Sequence, residues 1–262
     1  MIRRRDLWFL LGGLVPVRLT AQEAQLTAEQ KRALAEAQRD PVMTAMLAEI
    51  QRMGSLRTMP EIPYYIEIGC DDAQLYTVSA SLGAAFAPRT DRVRPLRVQV
   101  RVGGPQFDNT NSIFSDSYSG TRYDSGQLPL DGGVMAYRQA LWLALDRAYK
   151  TAVEGLGRKA AALRGVSMQD PLPDFAPASQ TLLIRPVTPV KIDGNRWRDL
   201  AKKVSAEYRA FPAVTNSNVE FSLSQGTNYF VTSTGTLVRT PDGVAMLQTR
   251  AGCQAQDGMP LY

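Results

Sequence analysis

"GTNYFVTSTGTLVRTPDG", residues 226–243, predicts two short strands around a tight turn and is rich in hydroxyl side chains. The run before it, "NVEFSLS", alternates polar and apolar residues, which is typical of a strand with one buried face. Within the hairpin, "TPDG" has Pro241 and Gly243 at the second and fourth positions, which favours a type I turn. The stretch therefore indicates a β-hairpin in an antiparallel sheet.

Three earlier runs, "PYYIEIG", "AQLYTVSASLGAAF" and "RPLRVQVRVGG", are also typical of strands. Short connections such as "CDDA" and "PRTDR" predict hairpins between them, with Asp71 and Asp72 bonded to their own turn backbone. Residues 27–54 favour two helices divided at Pro41, and residues 134–163 have the strongest helical periodicity of the chain. These patterns predict an α+β protein of antiparallel sheets packed with long helices, in two helix-plus-strands units.

The composition also suggests how the chain is divided. Residues 165–195 contain prolines at 171, 173, 177, 186 and 189, which predicts a linker or an extended surface crossing. We expect a first helix/antiparallel-sheet unit at 22–164 and a second, smaller helix/sheet unit at 196–262. Residues 1–21 are predicted to be a signal peptide.

The charge distribution supports export more than a nucleic-acid partner. The formal net charge is +5, but residues 1–21 hold four arginines and one aspartate, which leaves 26 basic and 24 acidic residues elsewhere. The apolar run from Leu7 to Val17 is too short to cross a bilayer and suits a signal-peptide core ending at Ala21. We expect a periplasmic or secreted protein with no membrane partner after signal removal. An uncleaved amphipathic N-terminal helix or anchor and an ordinary first helix are the alternatives to a signal peptide. Export by either the general or the twin-arginine route remains open.

Two cysteines are present, Cys70 and Cys253. In an oxidising compartment they could form one disulfide that closes a long loop. The alternative is two small apolar residues without a bond between them, and both interpretations stay open.

The absence of histidine limits the chemistry of this chain. It removes Ser-His-Asp and Cys-His catalysis in their usual forms and the commonest neutral zinc ligand. The sequence contains no phosphate-binding glycine motif, and "DNTNS" at 108–112 lacks the glycine and glutamate of a calcium loop. We therefore predict no catalytic and no metal-binding residue, although a Ser-Lys hydrolase remains an alternative.

The hairpin and several other segments resemble the TldD/PmbA family, which is related to zinc metallopeptidases and includes proteins called modulators of DNA gyrase. A strand of that family follows roughly the pattern Tyr-x-x-Asn-Ser-x-Gly. Here Tyr229, Ser233 and Gly235 match it, while Thr232 stands in the Asn position. The segments "PYYIEI", "RPLRVQVRVGGPQFDNTN" and "DPLPDFAP" are similar to exported bacterial members, and the resemblance extends from about Pro63 to Met259.

This resemblance implies a non-catalytic N-terminal domain. The family's zinc site is a His-Glu-x-x-x-His helix with a later cysteine in a C-terminal domain, and this sequence contains no such motif. The chain is therefore expected to hold no cofactor and to be inactive alone, while it shapes the peptide-binding cleft and subunit interface for a separate or missing zinc domain. The implied partners are an unfolded peptide or protein and a catalytic domain or partner subunit, in a homo- or heterodimer. The alternative is a stand-alone exported binding or scaffold protein with the same fold.

Four hairpin residues, Asn228, Ser233, Thr234 and Gly235, are the predicted substrate-binding residues. An exposed sheet edge can bind an extended peptide by main-chain pairing, and glycine permits close backbone approach. The Ser233 and Thr234 hydroxyls would then bond peptide groups. Alternatively, these hydroxyls serve strand propensity and turn bonding only.

Overall fold

The computed structural model describes residues 28–56, 59–111, 124–166, 172–176, 179–187 and 191–261. The helices are α1 (Ala28–Ala37), α2 (Pro41–Ser55), α3 (Val134–Ala162) and α4 (Gly194–Ala206), and a 3-10 turn follows at Glu207–Ala210. The strands are β1 (Tyr65–Ser81), β2 (Ala84–Ala85), β3 (Arg89–Val93), β4 (Pro95–Arg101), β5 (Gly103–Gly104), β6 (Phe107–Asp108), β7 (Asp124–Gln127), β8 (Leu182–Ile184), β9 (Val214–Thr232), β10 (Leu237–Gln254) and β11 (Pro260–Leu261). The predicted α+β class is confirmed. The predicted signal peptide lies outside the described residues.

One large sheet dominates the fold. Its main strand order is β11-β10-β9-β1-β4-β7, and each neighbouring pair along that path is antiparallel. Strands β2 and β3 pair with β1, and β8 pairs in parallel with the start of β10. Strands β1, β9 and β10 contain 17, 19 and 18 residues, so the hairpin strands are much longer than predicted. Strands from before and after the proline-rich segment thus lie in the same sheet.

The predicted turn at "TPDG" is wrong. Pro241 and Gly243 lie inside β10, opposite Thr227 and Gln225 of β9. The chain reverses earlier, after Thr232, where the turn carries Gly235 in the left-handed region at a φ of 100°. Alternate residues of β10 direct their backbone groups away from β9, and Pro241 is one of these. Its missing N–H therefore removes no bond to β9, which is why a strand on the edge tolerates it.

The predicted turn at "CDDA" is also wrong, because β1 continues through it. The predicted connection at "PRTDR" is wrong as well, because Arg89–Val93 is strand β3 and pairs with β1. Asp71 and Asp72 lie in the middle of β1. Asp72 forms ion pairs with Arg92 of β3 and with Arg94, which lies between β3 and β4. Asp71 forms an ion pair with Arg97 of β4. The resulting ion pairs compensate for the low strand propensity of aspartate.

One face of the sheet carries two separate hydrophobic cores. Even-numbered residues of β1 face the helices: Ile66, Ile68 and Cys70 belong to the first core, and Tyr76 and Val78 belong to the second. Helices α1, α2 and α3 supply the first core, and α4 covers the second. Pro41 separates α1 from α2 as predicted, and no helix of the described chain is long and apolar enough to cross a membrane.

The second core contains an aromatic stack. The indole of Trp197 on α4 lies 3.9 Å from the Phe221 ring on β9, with the two planes 6° apart. The Tyr76 hydroxyl donates to the Gly194 carbonyl at 2.8 Å and attaches the start of α4 to β1. These contacts fix α4 over β1 and β9 and leave the part of the sheet between the two cores without a helix.

Candidate functional site

A cleft lies on the helical face of the sheet, between the two cores. We call it the central cleft, and its volume is about 540 Å³. Its lining residues come from β1, β3, β9, β10 and the segment after β8: Asp72, Gln74, Thr90, Asp91, Arg92, Val187, Gln225, Gly226, Thr227, Pro241 and Asp242. A second space of about 300 Å³ shares Gln74 and Thr90 with it and extends toward Lys191 and the start of α4.

Strand register explains why these residues meet. Asp72 pairs with Thr227, which pairs with Pro241, so the three side chains lie in one row on the same face. The next row holds Gln74 and Gln225, and the Gln225 amide donates to the Gln74 amide oxygen at 3.4 Å. The apolar side chains of this sheet face are interrupted here by polar ones, so the cleft floor contains amides and hydroxyls.

Two arginines compensate the charge of Asp72, one of the three aspartates among the lining residues of the cleft. Arg92 donates to both oxygens of Asp72, at 3.0 and 2.8 Å, and Arg94 donates to one of them at 2.6 Å. Burial raises the pKa of Asp72, but the hydrogen bonds from Arg92 and Arg94 outweigh it and leave the pKa below its usual value. Arg94 is itself buried and lies over the Tyr137 ring at 5.1 Å. This aspartate is held ionised and is poorly suited to act as a base.

Replacing Asp72 with asparagine should change how stability depends on pH. A carboxyl group with a lowered pKa stabilises the folded state above its unfolded pKa of about 3.9, and this contribution is lost as the pH falls through the folded value. We expect Asp72→Asn to lose about 2 kcal/mol of unfolding free energy at pH 7. Between pH 5 and pH 3 the variant should lose less additional unfolding free energy than the unmodified protein, because it lacks the carboxyl group that titrates.

Urea unfolding at pH 7, 5 and 3 measures both effects. Asp146→Asn, on the exposed surface of α3, is the matched control and should follow the unmodified protein at each pH. Parallel pH curves for Asp72→Asn and the unmodified protein would contradict the expectation.

The structure does not bring the four predicted substrate-binding residues into the central cleft. Asn228 lies on the opposite face of β9, where its amide donates to Asp71 at 2.5 Å. Ser233, Thr234 and Gly235 form the turn after β9. The Ser233 hydroxyl accepts from the Ile66 N–H at 2.9 Å, so it fastens this turn to β1. Substrate binding by these residues stays a prediction.

The two cysteines lie far apart on the sheet. Cys70 pairs with Tyr229 near the first core, whereas Cys253 pairs with Val214 at the opposite end of β9. Both thiols are free, and burial raises the pKa of Cys70 to about 12. The structure therefore does not bring this predicted pair together.

A second polar cluster lies under the β5–β6 hairpin. The buried Arg101 donates to Asp108 at 2.8 Å, and the Tyr64 hydroxyl donates to the same carboxylate oxygen at 2.6 Å. Lys159, near the end of α3, donates to Asp174 at 2.5 Å. Burial raises the pKa of Asp108, but hydrogen bonds from Thr110, Tyr64 and Arg101 lower it by more, so the pKa lies below its usual value. The hydrogen bonds of this cluster attach the hairpin to α3 and to residues 172–176.

Residues 108–111 of the "DNTNS" segment belong to this cluster. The Thr110 N–H and hydroxyl both donate to Asp108, each at 2.6 Å, and so form a hydrogen-bonded turn. Across the described ranges, no three His, Cys, Asp or Glu side chains lie close enough together to hold a metal ion.

Sequence reasoning missed the central cleft, although a signal for it was present. The alternation through "YIEIGCDDAQLYTVSA" places Asp72 and Gln74 on the same face as Ile68 and Tyr76. A polar interruption on an otherwise apolar strand face indicates a gap in the cover of that face.

Three solved structures are similar to this chain. TldE from Thermococcus kodakarensis has 10% sequence identity and a TM-score of 0.47, with 84% of this chain and 40% of that chain covered. A candidate modulator of DNA gyrase from Bacteroides thetaiotaomicron VPI-5482 has 11% identity and a TM-score of 0.48, with 89% and 43% covered. Another, from Thermotoga maritima MSB8, has 9% identity and a TM-score of 0.39, with 75% and 37% covered.

The chain spans about two fifths of the length of these three proteins. No family model matches the chain, and no curated protein matches it. At identities of 9–11%, the similarity concerns the path of the backbone and transfers no residue's role.

Proposed function

We propose that this chain is a non-catalytic, peptide-binding part of a TldD/PmbA-like metallopeptidase. In this proposal the central cleft holds an extended segment of an unfolded peptide, and a zinc domain elsewhere cleaves it. The support comes from the sequence resemblance between Pro63 and Met259 and from the chemistry of the cleft. We extend the proposal to the exported location that residues 1–21 predict.

The amides and hydroxyls in the floor of the cleft are the observation on which the proposal rests. Gln74, Gln225, Thr90 and Thr227 offer amides and hydroxyls, which can both donate to and accept from a peptide backbone. The Asp72 carboxylate is already compensated by Arg92 and Arg94. Such a surface binds main-chain groups of many sequences, as a protein that handles unfolded substrates requires.

The size and construction of the cleft agree with this role. Its volume of about 540 Å³ lies within the range of roughly 300–1,000 Å³ that is usual for ligand sites. The lining residues Gln74 and Gln225 are on long, paired strands, so the floor is positioned by the sheet and requires no ordering on binding.

Binding of fluorescently labelled, unstructured decapeptides tests the proposal by anisotropy. Replacing both glutamines, Gln74→Ala with Gln225→Ala, should weaken binding about tenfold, because each lost hydrogen bond costs roughly 0.5–1.5 kcal/mol. Ser224→Ala is the matched control, since Ser224 is adjacent on β9 but faces the opposite side of the sheet. Equal affinity of the double variant and the unmodified chain would overturn a role for this cleft.

The stand-alone alternative is a binding or scaffold protein with no enzymatic partner. Both hypotheses expect peptide binding. Only the metallopeptidase hypothesis expects casein cleavage when a zinc-bearing TldD/PmbA-like catalytic domain is added. Casein digestion by the purified chain without that domain would contradict both.

A further inference from the structure

A further cavity lies on the side of the sheet that faces away from the helices. We call it the outer cavity, and its volume is about 470 Å³. Helix α4 packs on Tyr76 and Val78, so the odd-numbered side chains of this part of β1 lie on the outer side. Side chains around the cavity include Thr77, Ser79, Phe86, Arg89, Asp91 and Asn218, of which Asp91 also lines the central cleft.

Strand pairing holds these side chains in place. Arg89 of β3 lies opposite Thr77 of β1. The Phe86 N–H donates to the Ser79 carbonyl at 2.8 Å, so the chain between β2 and β3 is attached to β1. The outer cavity is therefore formed by a fixed part of the sheet, and a ligand would require little ordering of the chain on binding.

The floor of the outer cavity offers side chains and not main-chain groups. Strand β1 is paired with β3 from Ala73 to Thr77 and with β9 from Glu67 to Ala80, so its backbone is bonded on both sides here. An extended peptide that joins a sheet is bound through main-chain pairing, for which this floor has no free groups. The floor therefore suits a ligand that is recognised by side-chain hydroxyls, amides and carboxylates.

The polar side chains of the outer cavity balance in charge. Arg89 and Asp91 are the charged ones among its described residues, and the Arg89 Nε lies 2.5 Å from the Asp91 Oδ2. The hydroxyls of Thr77 and Ser79 and the amide of Asn218 carry no charge, and each can both donate and accept hydrogen bonds. This combination favours a neutral ligand with many hydroxyl groups over an anion or a cation.

An exposed aromatic ring borders the cavity. Phe86 is 61% exposed, so its ring is accessible to a ligand. The face of an aromatic ring carries partial negative charge, which attracts the weakly positive hydrogen atoms of C–H groups. A sugar ring presents C–H groups on its faces and hydroxyls around its edge. Contact with Phe86 would therefore bury the apolar face of a sugar while its hydroxyls reach the polar floor.

We propose that the outer cavity binds a neutral oligosaccharide of pyranose rings. One ring packs on Phe86, and its hydroxyls bond to Thr77 and Ser79 and to the paired Arg89 and Asp91. The cavity volume of about 470 Å³ lies within the range of roughly 300–1,000 Å³ that is usual for ligand sites. This site is additional to the central cleft and does not rest on the proposed peptide binding.

Isothermal titration calorimetry of the 262-residue chain tests this proposal. Cellotetraose and tetra-N-acetylchitotetraose are the neutral probes, and tetragalacturonate is the anionic probe. At least one neutral probe should bind with a dissociation constant of about 1 mM or lower, and tetragalacturonate should bind about tenfold more weakly than that probe. The absence of binding by both neutral probes at about 1 mM, or tetragalacturonate as the tightest ligand, would overturn the proposal.

Two substitutions test the location of the site. Phe86→Ala should weaken binding of the neutral probe about tenfold, because it removes the ring on which the sugar packs. Thr77→Val should weaken it about fivefold, because it removes one hydroxyl at nearly constant volume. Phe211→Ala is the matched control, since Phe211 is also 61% exposed but does not line the outer cavity. Equal affinities of Phe86→Ala and Phe211→Ala would overturn the assignment of this cavity.

The same variants separate this proposal from the proposed function. Phe86 and Thr77 do not line the central cleft, so both variants should bind the labelled decapeptides as the unmodified chain does. Thermal unfolding should give Phe86→Ala and Phe211→Ala similar melting temperatures, because both side chains are exposed. Loss of saccharide binding with unchanged decapeptide binding supports a separate site, and loss of both together would overturn it. The saccharide titrations decide the matter even if the unmodified chain binds no decapeptide.

Discussion

Replacing Gly226 with alanine is expected to destabilise the protein by about 3 kcal/mol or more. A Cβ at this position would overlap the Asp72 carbonyl oxygen and lie 2.8 Å from the Ala73 Cα. Both neighbours are backbone atoms of a central strand, so neither can move without disturbing the pairing of β1 with β9. Because Gly226 lines the central cleft, the same change should also weaken peptide binding.

Thermal unfolding and the anisotropy assay measure the two effects. Gly243→Ala is the matched control, since it lies on the next strand opposite Gln225 and its nearest neighbour would be the Ser224 carbonyl oxygen at 3.3 Å. We expect this control to cost less than about 1 kcal/mol. Similar losses of stability for the two variants would contradict the prediction. They would show that the close approach of β1 to β9 is not the reason why position 226 requires glycine.

Asp108→Ala is the second substitution with a large expected effect, about 3–5 kcal/mol of unfolding free energy. Asp108 is fully buried and accepts hydrogen bonds from Tyr64, Arg101 and Thr110. Its removal leaves the buried Arg101 guanidinium without its carboxylate. The β5–β6 hairpin should consequently separate from α3.

A double-variant cycle gives this prediction its control. Arg101→Met combined with Asp108→Ala should be less destabilised than the sum of the two single variants, because no uncompensated charge is then buried. Urea unfolding monitors all four proteins. Additive losses would indicate that Arg101 and Asp108 contribute through packing rather than through their charge pair.

Local patterns in the sequence were sufficient for the helices and for the class of fold. The period of residues 134–163 predicted α3, and Pro41 marked the division between α1 and α2, because both signals act within one or two turns of a helix. Alternating residues such as Val98 and Val100 likewise identified strands, and these valines are buried. These features depend on interactions between residues that are close in the chain, so they can be predicted from the order of the residues.

The misplaced turns show where local signals fail. Asp71-Asp72 and Pro241-Asp242-Gly243 both have turn composition, yet both lie within long strands. Arginines on neighbouring strands stabilise the aspartates, and the edge position of β10 removes the penalty for proline. Neither influence can be recognised before the strand order is known.

The sequence by itself determined an α+β chain without imidazole, in which a histidine-containing zinc site or catalytic triad cannot form. Only the tertiary structure decided that β1 and β9 extend across two cores, that a cleft lined by polar side chains separates these cores, and that no strand of the described residues pairs with the outer edge of β10 from Thr240 to Gly252. The physical reason is that a cleft and an edge are defined by which strands pair and which helix covers them. Those contacts join residues more than a hundred positions apart, such as Gln74 and Gln225.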